Sequence, residues 1–272
     1  MKIVPVQSLD NKELAPYRTL RRPKEHYDLG IFVAEGGKVV ERLLESGIEV
    51  VSILTTAEWL GRLESRHKKA LEGLQIFLAE KEILNTIVGY NLHQGIMAIG
   101  KMPKNPPFEE TISKLKPPFL LLAMDGLVNA ENVGVVVRNA AAFGVDAILV
   151  GETSSSPYLR RAVRNSMGAV FTQAILHVEK LEESLQILHQ RFGVTVIAAD
   201  PSGGTALHEA NLSGNVCIVL GNEGDGISAN ILSLCQHRVA IPMMNGTDSL
   251  NVASASAVVL YEARKQRNGS VR

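Results

Sequence analysis

The sequence predicts an α/β protein of two domains, each a sheet of mainly parallel strands covered by helices, and three observations lead there. Between Gly30 and Gly100 short apolar runs alternate with longer amphipathic segments. Residues 101–118 then hold five of the eleven prolines, and from Phe119 onward the alternation begins again. Strands separated by helix-length segments are joined by crossovers, which favours parallel pairing with helices packed on the sheet.

In the first half, GIFVAEGG reads as a strand and VVERLLESG as the helix that follows it. EVVSILTT and LQIFLAE are strands on either side of the helical AEWLGRLESRHKKALEG, and KEILNTIVG is a helix leading into the strand GIMAIG. Residues 1–100 form the first domain on this reading. The stretch KMPKNPPFEETISKLKPP, residues 101–118, is read as an interdomain linker, because X-Pro steps disfavour helix and stiffen the chain toward an extended form.

The second domain, residues 119–272, opens with FLLLAMD, a continuous apolar run of the kind found in strands buried on both faces. A helix over 132–143, the strand DAILV, a helix over 181–191 and the strand VTVIAAD follow. VCIVLG, a helix near 227–235, HRVAIP and a final helix from about Asn251 to Arg267 complete a second parallel α/β domain of ordinary size. Neither an internal repeat nor a low-complexity tract interrupts it.

Bulk properties narrow the class. With 272 residues, 46% of them hydrophobic, the chain can bury a sizeable core. Its 28 Lys and Arg balance 28 Asp and Glu, so any surface for nucleic acid must be a local patch and not an overall polycation. Cys217 and Cys235 stand in apolar or helical surroundings without CxxC spacing, which favours reduced core residues over a disulfide or a metal site. No signal-peptide stretch opens the chain and no run reaches the roughly 18 apolar residues of a membrane span, so a soluble cytoplasmic protein is expected.

Several common chemistries are absent. GNEGDG at 221–226 has the wrong order for a GxGxxG dinucleotide loop, and Gly36-Gly37-Lys38 lacks the rest of a Walker loop. The seven histidines show no HExxH or close paired spacing, so no metal is expected, and no GxSxG elbow marks a serine hydrolase.

Three segments remain. In NAENVGVVVRNAAAFGVDAILV, Asn132 opens a helix and Arg138 follows six residues later. At about 100° per residue the two point some 120° apart, so they converge only if Asn132 acts from the cap or loop; otherwise they are a helix cap and a solvated arginine. VCIVLGNEGDGIS is a buried strand ending in a glycine-rich loop, the place where open α/β sheets hold ligands. Glu223 in that loop is either a solvated carboxylate or a site residue, and the glycines around it imply close backbone approach or positive φ. In HRVAIPMMNGTDSLNVASASAVVLYEARK, Ser249 or Asn251 can cap the last helix, and the small run Ala253 to Ala257 lets that helix pack closely inside the domain or against a partner.

Together and in this order the segments resemble the signature motifs of the SpoU/TrmH family of RNA ribose 2′-O-methyltransferases, within the SPOUT superfamily. The Asn and Arg six residues apart are matched by Asn132 and Arg138, and the GxEGxG-like loop by Gly221, Glu223, Gly224 and Gly226. The IPM strand end, SLN and small-residue helix are matched by Ile241, Pro242, Met243, Ser249, Leu250, Asn251 and Ala253. Asn222 falls where relatives differ and carries little of the resemblance. SSPYLRRAVRNSMGAVF at 155–171 is similar to the family's basic connection. Residues 35–54 and HQGIMA at 93–98 resemble its N-terminal substrate-binding domain, similar in fold to a ribosomal-protein RNA-binding module.

The resemblance implies a C-terminal SPOUT-type domain with a parallel sheet and a deep trefoil knot, a homodimer through that domain, and S-adenosylmethionine bound in the knot. Cofactor contacts are implied at Ala199, Gly221, Gly226, Ile241, Met243, Leu250 and Ala253, with the AADPSG loop close by. Arg138, Asn132, Glu223, Ser249 and Asn251 are the implied catalytic group. A guanidinium holds its proton too tightly to be a good base, so Arg138 is read as gripping the neighbouring phosphate and stabilising a developing alkoxide while the other four position it. A 2′-hydroxyl exists in RNA and not in DNA. Phosphate contacts are expected from Arg18, Arg21, Arg22 and Lys24 and from Arg160, Arg161 and Arg164. The expected substrate is ribosomal RNA of the 23S type, ahead of transfer RNA. The rival readings are a noncatalytic RNA-binding or assembly factor that retains the fold, and an α/β enzyme with another nucleotide cofactor.

Overall fold

A computed structural model describes residues 1–7, 11–89 and 94–267. The chain begins β1 (Lys2–Pro5), α1 (Ala15–Arg18), α2 (Pro23–Asp28), β2 (Ile31–Glu35), α3 (Gly37–Glu45), β3 (Val50–Thr55), α4 (Ala57–His67), β4 (Gln75–Leu78), α5 (Lys81–Val88) and β5 (Ile96–Lys101). It continues α6 (Phe108–Ser113), β6 (Leu120–Met124), α7 (Ala130–Phe143), β7 (Ala147–Val150), α8 (Arg160–Asn165), β8 (Ile175–His177) and α9 (Leu181–Phe192). Last come β9 (Thr195–Ala199), β10 (Thr205–Ala206), β11 (Val216–Leu220), α10 (Ala229–Leu234), β12 (His237–Ala240) and α11 (Val252–Arg267). His93 of the HQGIMA segment lies outside the described residues.

Two compact units emerge, Met1–Lys104 with Tyr158–Thr172, and Asn105–Pro157 with Gln173 onward. The first is built on the sheet β1-β4-β3-β5-β2. β1, β4 and β3 pair in parallel, but β5 runs antiparallel to both β3 and β2, so the expectation of mainly parallel pairing holds for only part of this sheet. An apolar run such as IMAIG, buried from Ile96 to Gly100, looks the same in either direction, so its pattern carries no sense of strand orientation.

The segment 158–172 completes this unit. Phe32 of β2 packs its ring against Tyr158 and Phe171, with centroids 5.6 and 5.4 Å apart, and burial pushes the Tyr158 phenol up to about 12. At the end of β2 the buried Glu35 carboxylate accepts from Arg160 at 2.5 Å and Arg164 at 2.9 Å.

The second unit holds a seven-stranded sheet of order β10-β12-β9-β11-β6-β7-β8, parallel at every pairing. All five residues of β6 and of β11 are buried, as a strand covered on both faces requires. On one face Leu181, Leu185 and Leu188 of α9 and Ile231 of α10 pack against Leu121, Ala123, Val196, Cys217 and Val219. α6 joins that layer through the buried Ile112. The stretch read as an extended linker thus contains a helix: its prolines lie at 103, 106, 107, 117 and 118, outside the helical turn, while Glu109 and Glu110 suit the positive end of the helix dipole.

Both cysteines are free thiols; burial raises the pKa of Cys217 and pushes Cys235 up to about 11, which leaves them chemically quiet. Among the described residues no helix is long and apolar enough to cross a membrane.

Glu35 offers a direct test of the first unit. Glu35→Ala removes the buried carboxylate that Arg160 and Arg164 share, and because Arg164 is half in solvent the loss should be about 2–3 kcal/mol, below the full penalty of a wholly buried pair. Glu35→Gln, which keeps an acceptor, should lose about half as much. Urea unfolding reads both, and a loss near zero for the alanine variant would show that solvent already screens the cluster.

Candidate functional site

The chain passes from β6 to β7 and β8 on one side of the second sheet, then resumes with β9 on the other side, so the order reverses between β6 and β11. Loops leaving the carboxyl ends of strands beside such a reversal form the usual binding crevice. The loops that follow β6, β9, β11 and β12 carry the residues singled out in the sequence.

Helix α7 begins on the loop after β6. Asn129 has extended φ/ψ of −77° and 107°, and its side chain accepts from the backbone of Glu131 and Asn132, so Asn129 is the cap and Asn132 sits inside the first turn. The sequence offers two asparagines three residues apart, both good caps by propensity, and only the backbone angles choose between them. Freed from capping, the Asn132 side chain donates from Nδ2 to Glu223 Oε1 at 2.7 Å. Its own oxygen accepts a longer 3.4 Å contact from Asn251 Nδ2, and Asn251 Oδ1 accepts from Ala253 N–H at 2.9 Å as the cap of α11.

The order of donors in this relay is forced. An ionised carboxylate only accepts, so Asn132 must turn its amide nitrogen to Glu223 and its oxygen to Asn251. Asn251 must then present nitrogen to Asn132 and oxygen to the helix amide. The three segments therefore meet in one chain of hydrogen bonds, each end of which fixes the polarity of the middle.

The Glu223 loop is shaped from within. A Cβ on Gly221 would lie 2.3 Å from the Ile227 nitrogen, so the close approach demanded there comes from the chain's own backbone. Gly226 takes φ +72° to close the turn, pairing with Asn222 through backbone bonds of 2.8 and 3.1 Å. Asn222 is the hub: its oxygen accepts from Gly224 and Asp225, and its nitrogen donates to the Gly126 carbonyl on the loop after β6 at 2.7 Å. Asn222 stands at a position where relatives differ, and its partner 96 positions away leaves no local trace in the sequence.

A cleft of about 370 Å³, counted with the solvent at its mouth, opens beside the relay. Ala199, Ile241, Met243, Ser249 and Leu250 line it, together with Asp200, Pro201, Val239, Asp248, Ala255 and Val259. Gly221, Gly226 and Ala253 do not line it; Ala253 is buried where α11 meets α7, and its carbonyl accepts from Asn139, which also bonds Ser256. That contact places the small-residue face of α11 against α7 within the same chain. Ser256 belongs to the small-residue run Ala253 to Ala257, whereas Asn139 carries no motif; its only signal in the sequence is a polar residue amid the apolar VVVRNAAAF.

Arg138 is exposed two turns along α7, with no hydrogen bond or ion pair among the described residues, and is not drawn into the relay. In the first unit Arg18, Arg21, Lys24 and Arg161 are exposed, and Arg22 pairs with Glu25 at 3.0 Å. Arg160 and Arg164 are held by Glu35. Among the described residues no group of three His, Cys, Asp or Glu side chains is placed to hold a metal ion.

Comparison with known proteins gives two family matches, the SpoU rRNA methylase family over residues 119–261 and an RNA 2′-O ribose methyltransferase substrate-binding family over residues 33–106. The 23S rRNA (guanosine-2′-O-)-methyltransferase RlmB of Neisseria meningitidis is 32% identical over 205 residues, covering 75% of this chain and 82% of that protein. A crystal structure of an RNA 2′-O ribose methyltransferase is similar with a TM-score of 0.79 at 30% identity, covering 97% of this chain and 99% of the other. The SpoU methyltransferase AviRb from Streptomyces viridochromogenes, solved with AdoMet, reaches a TM-score of 0.81 at 23% identity over 94% of this chain and 98% of its own, a likeness of fold.

The relay makes a prediction of its own. Asn132→Asp sets two carboxylates against each other, a repulsion of about 1.5 kcal/mol at water-like screening, partly offset by about 0.3–1 kcal/mol from a new charge at a helix N-terminus. Adding Glu223→Gln restores a donor facing an acceptor, so a double-mutant cycle read by thermal melting should recover most of the loss. Strictly additive effects would mean that the two side chains do not meet in solution.

Proposed function

The chain belongs to the SpoU rRNA methylase family of RNA methyltransferases, and from that premise we propose that it transfers a methyl group from S-adenosylmethionine to a ribose 2′-hydroxyl of structured RNA. Ribosomal RNA of the 23S type is the substrate favoured over transfer RNA, in line with the activity named for the Neisseria relative. The observation that carries this reading is the convergence of Asn132, Glu223 and Asn251 in one hydrogen-bonded chain directly beside a cleft.

The cleft fits the donor in character. Its walls are apolar at Pro201, Val239, Ile241, Met243, Leu250 and Val259, suited to a flat base and a thioether-like chain, and strand-end backbone stands beside them for polar edges. Ala199, Ile241, Met243 and Leu250 would hold the cofactor, while Gly221, Gly226 and Ala253 would act by shaping the neighbouring loops. S-adenosylmethionine supplies, when bound, a methyl group activated by its sulfonium.

For the transfer, the 2′-hydroxyl must lose its proton as its oxygen develops negative charge. A guanidinium is a strong hydrogen-bond donor and a poor base, so the role of Arg138 is to hold the adjoining phosphate and stabilise that oxygen. Asn132, Glu223 and Asn251 orient this machinery, and Ser249 borders the cofactor. Phosphate contacts are proposed at Arg21, Arg22 and Arg161; Arg160 and Arg164, already paired with Glu35, contribute less. A homodimer through the catalytic domain and a trefoil knot in it belong to the same reading. Exposed apolar side chains in the second unit, Val128, Met244, Leu250, Val258 and Tyr261, supply the area that a dimer would bury, and a cytoplasmic location suits the substrate.

Arg138→Ala should lower methyl transfer to RNA by at least about a hundredfold, the scale of losing one transition-state donor, while calorimetry finds S-adenosylmethionine binding nearly unchanged. Equal transfer by the variant would overturn the catalytic assignment in favour of a noncatalytic RNA-binding factor or another chemistry. Mapping 2′-O-methyl sites in RNA from cells with and without the protein decides between ribosomal and transfer RNA.

A further inference from the structure

Two carboxylates border the cleft, and they are in different states. Asp200 Oδ2 accepts from Arg238 Nε at 2.8 Å and Nη2 at 2.5 Å, and its other oxygen accepts from the Ser202 amide at 2.9 Å, so both oxygens and the charge are committed. Asp248 is exposed and has no hydrogen bond or ion pair among the described residues. The remaining lining is Ala, Pro, Val, Ile, Met, Leu and one Ser. One uncompensated negative charge thus stands beside an otherwise apolar wall, on the loop that continues directly into Ser249 and Leu250.

We propose that Asp248 is the side chain by which the cleft selects the positive charge of its ligand. This rests on the donor reading given above and goes beyond it, because it assigns charge recognition to a residue outside the Asn, Arg, Glu and SLN positions of the motifs. A solvated carboxylate attracts a cation weakly, but a ligand seated on the apolar wall displaces water and lowers the local screening, so the same charge pair counts for more. S-adenosylmethionine carries two cationic groups, the sulfonium and the α-ammonium. S-adenosylhomocysteine keeps only the ammonium. Methylthioadenosine has neither, while sharing the adenosine and the sulfur.

Those three ligands form the test. The full chain and its Asp248→Asn and Asp248→Lys variants are titrated with each by calorimetry. Asp248→Asn should weaken S-adenosylmethionine about five- to twentyfold, the effect of one partly screened charge pair, and Asp248→Lys should weaken it further. Methylthioadenosine affinity should stay within about twofold in all three proteins, which also certifies that the variants are folded. S-adenosylhomocysteine separates the two cations: a parallel loss assigns Asp248 to the ammonium, and an unchanged affinity assigns it to the sulfonium. Unchanged affinity for S-adenosylmethionine, or an equal loss for all three ligands, would overturn the proposal. Failure of the unsubstituted chain to bind any of them would instead overturn the donor reading, and the proposal with it.

Discussion

A carboxylate that can only accept, Glu223, sets the order of the whole site. Because Glu223 takes a hydrogen from Asn132, Asn132 must take one from Asn251, and Asn251 must take one from the first turn of α11. Each of these exposed or half-buried bonds contributes only about 1 kcal/mol net, so their value is orientation more than stability. They tie together three loops that the chain reaches at positions about 90 and 120 apart, and they leave each amide one allowed orientation.

Rigid structure underneath makes such a light relay sufficient. Seven parallel strands fix the carboxyl edges from which the loops spring, and Asn222 pins the Glu223 loop to the loop after β6 through Gly126. Helix α11 is held at both ends. Asn251 caps its start, while Gln266 and Arg267 reach backbone groups of Ala210, Leu212, Pro118, Phe119 and Gly214 at its finish. The cleft then lies between strand ends and a helix that cannot shift without breaking bonds at two places.

The arginines show how charge is divided. RRAVRNSMG reads as a basic run, and its place within the catalytic family's span invites an RNA-binding role. In three dimensions the segment 158–172 belongs to the first unit, and Arg160 and Arg164 neutralise a buried carboxylate at the end of β2. A buried Glu35 without those partners would face a desolvation penalty larger than any surface pair could offset. The same accounting applies to Asp200 and Arg238 beside the cleft, and it is what leaves Asp248 as the uncompensated carboxylate of the lining.

Much of this was determined by the sequence alone. Alternating apolar and amphipathic runs specified two α/β units, FLLLAMD and VCIVLG the doubly buried centre of a parallel sheet, and Ser249 or Asn251 as the cap of the last helix, of which the structure takes Asn251; the three motifs pointed to the loops that meet. All of these are local patterns, settled by residues within a few positions of one another. Tertiary structure alone decided the direction of β5, the helix at Phe108–Ser113, the choice of Asn129 over Asn132 as cap, the hub at Asn222 and the pairing of Glu35 with Arg160 and Arg164. Most of these depend on partners tens to more than a hundred positions away, or on backbone angles that two equally suitable residues compete to adopt, and neither leaves a periodicity or spacing for a sequence to display.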